Sequence, residues 1–492
     1  MTPSLLALAL VVALPLLGAL GAVASGRHGG RVAAGGAIGT LVAAVWLAVR
    51  VAADGAVSVA VGGWTPPLGI RLTADGPAVL FLATTALVMT AVVLHAQRSI
   101  TGPESGVDRN GPMAHTFWAL ILLLWGALNV IFISRDLFNL YVGLELASLA
   151  AVALVGIEGR RETLAAALRY LLFALTGSLL YLLGTALLYS AHGTLDLGLL
   201  AGQLGRHPSD LLALAAITAG LAAKTALFPF HVWLPPAHAG APPAASAVLS
   251  ALVPKASLYI LLRVWFDAAP EGPGPVGPLL LGALGAVAVL HGSLMALRQQ
   301  RLKLVVAYST VAQIGYLFLI FPLVAAAATA DPAGADAAWR GTLFQALSHA
   351  LAKAAMFLCA GLIIEAAGHD RLDRLAGTAR ALPITLFAFG LAAISLMGLP
   401  PSGGFLAKLL VVDAAFAAGA PGWALVVLLG GLLAAAYLFR PMAAAWRSPD
   451  EDDPGFAPVA RWRQALPMAL ALGALGLGLF SAGPARLMGG LP

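Results

Sequence analysis

Lys224-Thr-Ala-Leu-Phe-Pro-Phe-His231-Val-Trp-Leu-Pro-Pro-Ala-His238 closes an apolar run that begins near residue 210, and closes it with a lysine, two histidines and three prolines. Proline removes a backbone donor and breaks a helical ladder. Broken backbone at membrane depth is tolerated only where protein or a water-filled cavity re-satisfies it. The surrounding sequence makes the membrane the relevant solvent. The chain has 492 residues, 60% of them hydrophobic and 10% charged, with a mean hydropathy of +0.91. A soluble domain carries about 25% charged residues. At roughly 20 apolar residues per crossing, this length accommodates a dozen or more spans.

Fourteen hydrophobic segments lie near 4–23, 32–50, 77–96, 114–133, 137–156, 163–190, 210–229, 250–266, 276–297, 303–324, 341–364, 381–399, 422–445 and 465–484. The seventh ends in the stretch quoted above. The twelfth breaks at Gly398-Leu-Pro-Pro-Ser-Gly-Gly404, after which Phe405–Ala418 reads as a second half-helix. These segments predict an all-α polytopic membrane protein of about fourteen transmembrane helices, with helices 7 and 12 broken. Leu5–Val23 lacks a basic flank and runs too long for a cleaved signal peptide, so it reads as the first span. One cysteine, Cys359, excludes an internal disulfide and a cysteine cluster for zinc or iron–sulfur; in an apolar helix it reads as packing. The pI of about 9.7 comes from arginines scattered singly through short loops. There is no basic run with interleaved aromatics, and nucleic acid is not an expected partner. With no phosphate loop, metal-ligand cluster or nucleophile motif, no cofactor or metal is expected and nothing supports a soluble enzyme; a transporter subunit is expected instead.

The loops set an orientation. Sixteen arginines and lysines, Arg109 among them, fall in the odd-numbered connections; the even-numbered ones hold six, namely Arg50, Arg71, Arg135, Arg206, Arg263 and Arg340. The positive-inside rule places the odd loops in the cytoplasm. Both termini are then expected on the periplasmic or outer side of the cell's inner (plasma) membrane.

Lysine is used differently from arginine. Of five lysines, Lys224, Lys255, Lys353 and Lys408 fall inside predicted spans, and Lys303 is assigned to a loop. Glu145 is the acid most deeply embedded, in span 5. A charge at the bilayer centre costs at least about 2.5–3.5 kcal/mol, a penalty with no return in folding. Burial disfavours a charged ammonium, so a lysine in the membrane can exchange a proton near neutral pH; arginine cannot. Glu145, Lys224, Lys255 and Lys408 read as a proton or cation pathway, with Lys353 on its supporting polar path. His231, His238, His291, His349 and Arg169 are candidates for a supporting polar path; His349 shares a helical face with Lys353. Each of these has a simpler reading as a satisfied backbone-bonding or helix-pairing side chain.

A lysine before the break in span 7 has a counterpart after the break in span 12, five spans on. Paired interrupted helices point to an inverted-repeat transporter, and an odd offset implies inversion. The expected organisation is an N-terminal three-helix segment (1–110), a first five-helix repeat of spans 4–8 (111–270), a second, inverted repeat of spans 9–13 (271–446), and a loop with span 14 (447–492).

Four motifs carry a family resemblance: Asp136-Leu-Phe-Asn-Leu-Tyr-Val-Gly-Leu-Glu145, the Lys224–His238 stretch, Ala307-Tyr-Ser-Thr-Val-Ala-Gln-Ile-Gly-Tyr316 and Gly398-Leu-Pro-Pro-Ser-Gly-Gly-Phe-Leu-Ala-Lys408. Over about residues 70–445 the chain resembles the antiporter-like subunits shared by respiratory complex I, membrane-bound hydrogenases and Mrp-type sodium/proton antiporters. The resemblance implies that Glu145 and Lys224 form a coupled ion pair and that Lys255 and Lys408 continue a hydrated midplane path. Lys408 is similar to the N-type and L-type complex I subunits and to the D-type subunit of Mrp antiporters. The segment Gly63-Trp-Thr-Pro-Pro-Leu-Gly-Ile-Arg-Leu-Thr-Ala-Asp-Gly76 resembles the Mrp D type most. The expectation is a proton/cation-translocating D-type subunit of a multisubunit Mrp-type monovalent cation/proton antiporter. The alternative is a proton-pumping subunit of NADH:quinone oxidoreductase or a related hydrogenase. Either implies other integral membrane subunits as partners, the bilayer as solvent, and H+ as cargo, alone or exchanged for Na+ or K+.

Overall fold

The computed structural model describes residues 2–100, 111–269, 274–330, 332–449 and 455–491; Arg109 of the orientation count lies outside them. Among the described residues, twelve helices are long and apolar enough to cross a membrane, from Pro3–Ala24 to Pro421–Trp446. A thirteenth crossing is available if Arg461–Leu479 and Ala482–Met488, bent by 77°, count together. The remaining expected segment is the 15-residue helix Pro383–Met397, about 22 Å long at 1.5 Å per residue. It is followed after the break by Gly403–Ala417. The protein is a multi-pass, helical membrane protein. Val57–Ala60 and Arg71–Ala74 add an antiparallel hairpin between the second and third long helices, an element the hydropathy pattern does not signal.

Local chemistry sets the helix ends. Side chains of Thr2, Asp75, Asp136, Asp196 and Ser402 accept backbone N–H groups at helix starts, satisfying donors that have no intrahelical partner. Helix Pro208–Thr225 stops one residue after Lys224, where Ala226 takes a left-handed conformation at φ 61. The chain then runs through a tight turn at Phe230–Trp233 and a short helix, Leu234–Gly240. It resumes as Pro243–Ala251 and Val253–Leu262, and ends in a π-helical turn, Arg263–Ala268.

The chain forms two compact units: Met1–Ala226 with Leu252–Gly277 and Arg486–Pro492, and Leu227–Ala251 with Pro278–Ala485. In the first, Phe81, Phe132 and Tyr259 pack with ring centroids 5.1–5.2 Å apart. There too helix Arg161–His192 lies against Pro208–Thr225 through facing glycines: a Cβ on Gly177 would stand 2.8 Å from the Gly220 carbonyl oxygen and 3.1 Å from Lys224 Cγ. Small residues at such contacts let membrane helices approach closely. In the second unit, helix Pro332–Ala367 is buried along most of its length.

Candidate functional site

Among the described residues, the first unit holds one lysine–carboxylate pair. Lys224 Nζ donates to Glu145 Oε1 at 3.1 Å and to Ser148 Oγ at 2.8 Å. Glu145 and Ser148 are one turn apart on helix Leu137–Gly156, so both face the same partner. Ser178, on helix Arg161–His192, donates to the same Glu145 oxygen. The ammonium side chain is 4% exposed and the carboxylate 20%, which leaves the acid as the group nearer the unit's surface. Three helices thus converge on one charge pair, and the Gly177–Gly220 contact brings the lysine stem within reach of it.

Lys255 lies in the same unit on helix Val253–Leu262 and is 2% exposed. Arg169 does not join these groups: it sits on the exposed face of helix Arg161–His192, beside the exposed Leu168 and Leu172. Arg263, counted above with a loop, is instead buried in the π-helical turn and paired with Asp75 and Asp267. It lies within the hydrophobic segment near 250–266, where two carboxylates satisfy the guanidinium and make a buried charge tolerable.

The second unit is organised around one face of helix Leu302–Leu317. Lys353 Nζ donates to the Val306 carbonyl at 2.9 Å and to Ser309 Oγ. Two turns on, Gln313 donates to the Leu396 carbonyl at 3.1 Å and accepts from Gln345 at 2.8 Å. Lys408 Nζ donates to the Leu396 and Met397 carbonyls at 2.8 and 3.1 Å and lies 4.6 Å from the centroid of the Tyr316 ring. Its ammonium therefore caps the negative end of the broken helix Pro383–Met397. Gly398, at φ +82, leaves room for the Lys408 stem to pass. Positions 306, 309, 313 and 316 form one helical stripe with Lys353 at one end and Lys408 at the other. Ser309, Gln313 and Tyr316 lie in a motif quoted from the sequence, but none was singled out. Polar residues at i, i+4 and i+7 in an otherwise apolar helix are the signal that would have found them.

The histidines divide. His231 stacks on Phe228 and meets His291 edge-on, with imidazole centroids 4.9 Å apart. His238 stacks on Phe357 at 5.0 Å. His349 is buried one turn before Lys353 on the same helix. Lys303 corrects the sequence reading. It is not in a loop but in the first turn of helix Leu302–Leu317, 4% exposed, donating to the Ala239 and Ala241 carbonyls at 3.3 and 2.6 Å. Those carbonyls end the short helix Leu234–Gly240, and a cation is favoured at such an end.

Comparison with known proteins agrees with this architecture. The profile described as "NADH:quinone oxidoreductase/Mrp antiporter, TM" matches residues 134–434. The N-type subunit of NADH-quinone oxidoreductase from Desulforudis audaxviator is 37% identical over 464 residues, covering 88% of this chain and 89% of that protein. The D-type subunit of the Na(+)/H(+) antiporter from Alkalihalophilus pseudofirmus is 28% identical, covering 77% of this chain and 74% of its own length. Among solved structures, a chain of the Mrp complex from Dietzia sp. superposes with a TM-score of 0.87 at 26% identity, covering 98% of this chain and 96% of that one.

Proposed function

Because the chain belongs to the NADH:quinone oxidoreductase/Mrp antiporter membrane family, we propose that it is a proton-translocating subunit, of the N type, in a redox-driven membrane complex. The observation that carries the transport reading is the Lys224–Glu145 pair with its two serines. At 3.1 Å and an effective dielectric near 20, the Coulomb attraction is about 5 kcal/mol. A modest separation of the partners is therefore enough to let the ammonium give up its proton. Lys255 is the next carrier in the same unit. In the second unit Lys353 and Lys408 are the carriers, with Ser309 and Gln313 as the polar line between them. His231, His238, His291 and His349 line the path; the exposed Arg169 is left to contacts outside the chain.

The choice of complex rests on the N-type relative, which matches at higher identity and over more of both chains than the D-type antiporter relative. This reverses the order suggested by the Gly63–Gly76 segment. Oxidation chemistry then belongs to neighbouring subunits, and the partners are other integral membrane proteins of a hetero-oligomer. A D-type subunit of a cation/proton antiporter is the second reading, favoured by the superposition on an Mrp-complex chain. Both termini are assigned to the outer side. In support, arginine and lysine are concentrated in the odd-numbered connections, which the positive-inside rule places in the cytoplasm.

Purification of the chain from its native membrane in mild detergent, with mass spectrometry of what accompanies it, tests the choice. Quinone-reducing or iron–sulfur subunits are expected; small hydrophobic partners without redox proteins would move the chain to the antiporter. Lys224→Ala should abolish proton transport while the complex still assembles, and retained transport would refute the relay.

A further inference from the structure

The helix that carries Lys255 continues as a line of chemistry toward one end of the first unit. Lys255, Tyr259, Arg263 and Asp267 follow at four-residue intervals, a spacing that makes helical neighbours. The final turn is π-helical, a geometry frequent at functional sites. The Tyr259 hydroxyl donates to the Phe132 carbonyl at 2.7 Å and accepts from Arg263 at 2.9 Å. The same guanidinium donates to both oxygens of Asp75, at 2.5 and 2.7 Å, and to Asp267 at 3.1 Å. Arg135 pairs with Asp267 from the other side.

Exposure rises along this line. Lys255 is 2% exposed, the Arg263 side chain 5%, and the Asp75 and Arg135 side chains 22%. Arg263 therefore stands between a buried amine and the Asp75 carboxylate, which reaches the surface, with the Phe81, Phe132 and Tyr259 rings packed beside it. A hydroxyl can pass a proton; a guanidinium stays protonated and does not. A fixed cation in a narrow membrane passage excludes protons and other cations.

We infer that Arg263 is an electrostatic barrier that closes the Asp75 end of the first unit to protons, so that a proton on Lys255 does not escape to that surface. Asp75 and Asp267 make the buried cation tolerable, since an unpaired charge there would be strongly destabilising. Eight residues of helix place Arg263 about 12 Å from Lys255. Removing one unit charge at that distance, at an effective dielectric near 20, changes the affinity for a proton by about tenfold. The inference rests on Lys255 being a proton carrier, which the loss of driven transport in Lys255→Ala tests separately.

The barrier itself is read as passive leak. The intact complex is reconstituted in proteoliposomes, a potassium diffusion potential is imposed with valinomycin, and an entrapped dye reports proton entry. Arg263→Gln should raise the leak by about tenfold, and adding Lys255→Ala to Arg263→Gln should return it to the wild-type level. Asp75→Asn keeps the guanidinium while breaking its ion pair, and should not leak; it also decides the matter if the glutamine variant fails to assemble. A leak in Asp75→Asn would mean that packing, not charge, seals this end and would overturn the inference. So would an Arg263→Gln complex no leakier than wild type, or a leak that survives removal of Lys255.

Discussion

Gly177→Ala puts one methyl group where the structure has none to spare. Its Cβ would stand 2.8 Å from the Gly220 carbonyl oxygen, 3.1 Å from Lys224 Cγ and 3.5 Å from Ala223 Cβ. The first neighbour is backbone, so helix Arg161–His192 must move away, carrying Ser178 with it, and the lysine stem must yield as well. If the Lys224–Glu145 separation grows from 3.1 Å by about 1 Å, the attraction at an effective dielectric near 20 falls by about 1.3 kcal/mol. That is close to a tenfold change in the equilibrium between paired and separated states. The expected result is a complex that assembles but pumps protons about tenfold more slowly. The assay is dye-reported proton uptake in inverted vesicles, normalised to the amount of complex. Gly184→Ala is the control. It meets the Ala213 carbonyl at 2.5 Å on the same helix pair, away from the charge pair, and should lower assembly without slowing the complexes that form. Wild-type pumping by fully assembled Gly177→Ala would refute the argument that helix approach sets the pair.

Three further outcomes follow from the second unit. Lys408→Arg keeps a cation on the Leu396 and Met397 carbonyls but cannot release a proton; assembly should persist and transport vanish, and any residual pumping would remove Lys408 from the path. Gln313→Leu strands the Gln345 amide, while the Leu396 carbonyl keeps its bond from Lys408; the buried group left unpaired costs about 1–3 kcal/mol. Adding Gln345→Leu should recover thermal stability by fluorescence-detected size exclusion while transport stays lost, and no recovery would mean that the two glutamines do not act as a pair. Cys359 is fully buried with its thiol on the Thr385 carbonyl at 3.3 Å, so maleimide should label it only after denaturation; labelling in native micelles would contradict the packing of helices Pro332–Ala367 and Pro383–Met397.

The spans and both breaks were legible because apolar runs and prolines act locally. Lys224 and Glu145 were legible as candidates because embedded charges are too costly to lie idle; that they pair was implied by the family resemblance. What escaped the sequence depends on partners far along the chain. Lys303 looked like a loop residue because the carbonyls it caps, at Ala239 and Ala241, lie 62–64 residues away. Arg263 looked like a flank because Asp75 is 188 residues distant. Ser309 and Gln313 were hidden for another reason: single polar residues scarcely change the mean of an apolar window, and only their period gives them away. Arg169 failed in the opposite direction. Position inside a span suggested an interior role, whereas its helical phase, alongside Leu168 and Leu172, turns it outward.

The division of the chain bears on its biogenesis. The first unit leaves off at Ala226, takes up Leu252–Gly277 again, and is completed only by Arg486–Pro492. Gly76, at the start of its third long helix, lies against the Leu487 backbone. At translation rates of about 5–20 residues per second, the roughly 210 residues between its last two segments take on the order of 10–40 s to synthesise. During that interval Glu145, Ser148, Ser178 and Lys224 are already in the membrane and free to pair, while the segment that finishes their unit does not yet exist. The charge pair can therefore be an early fixed point of insertion, around which later helices are added, as well as the centre of transport.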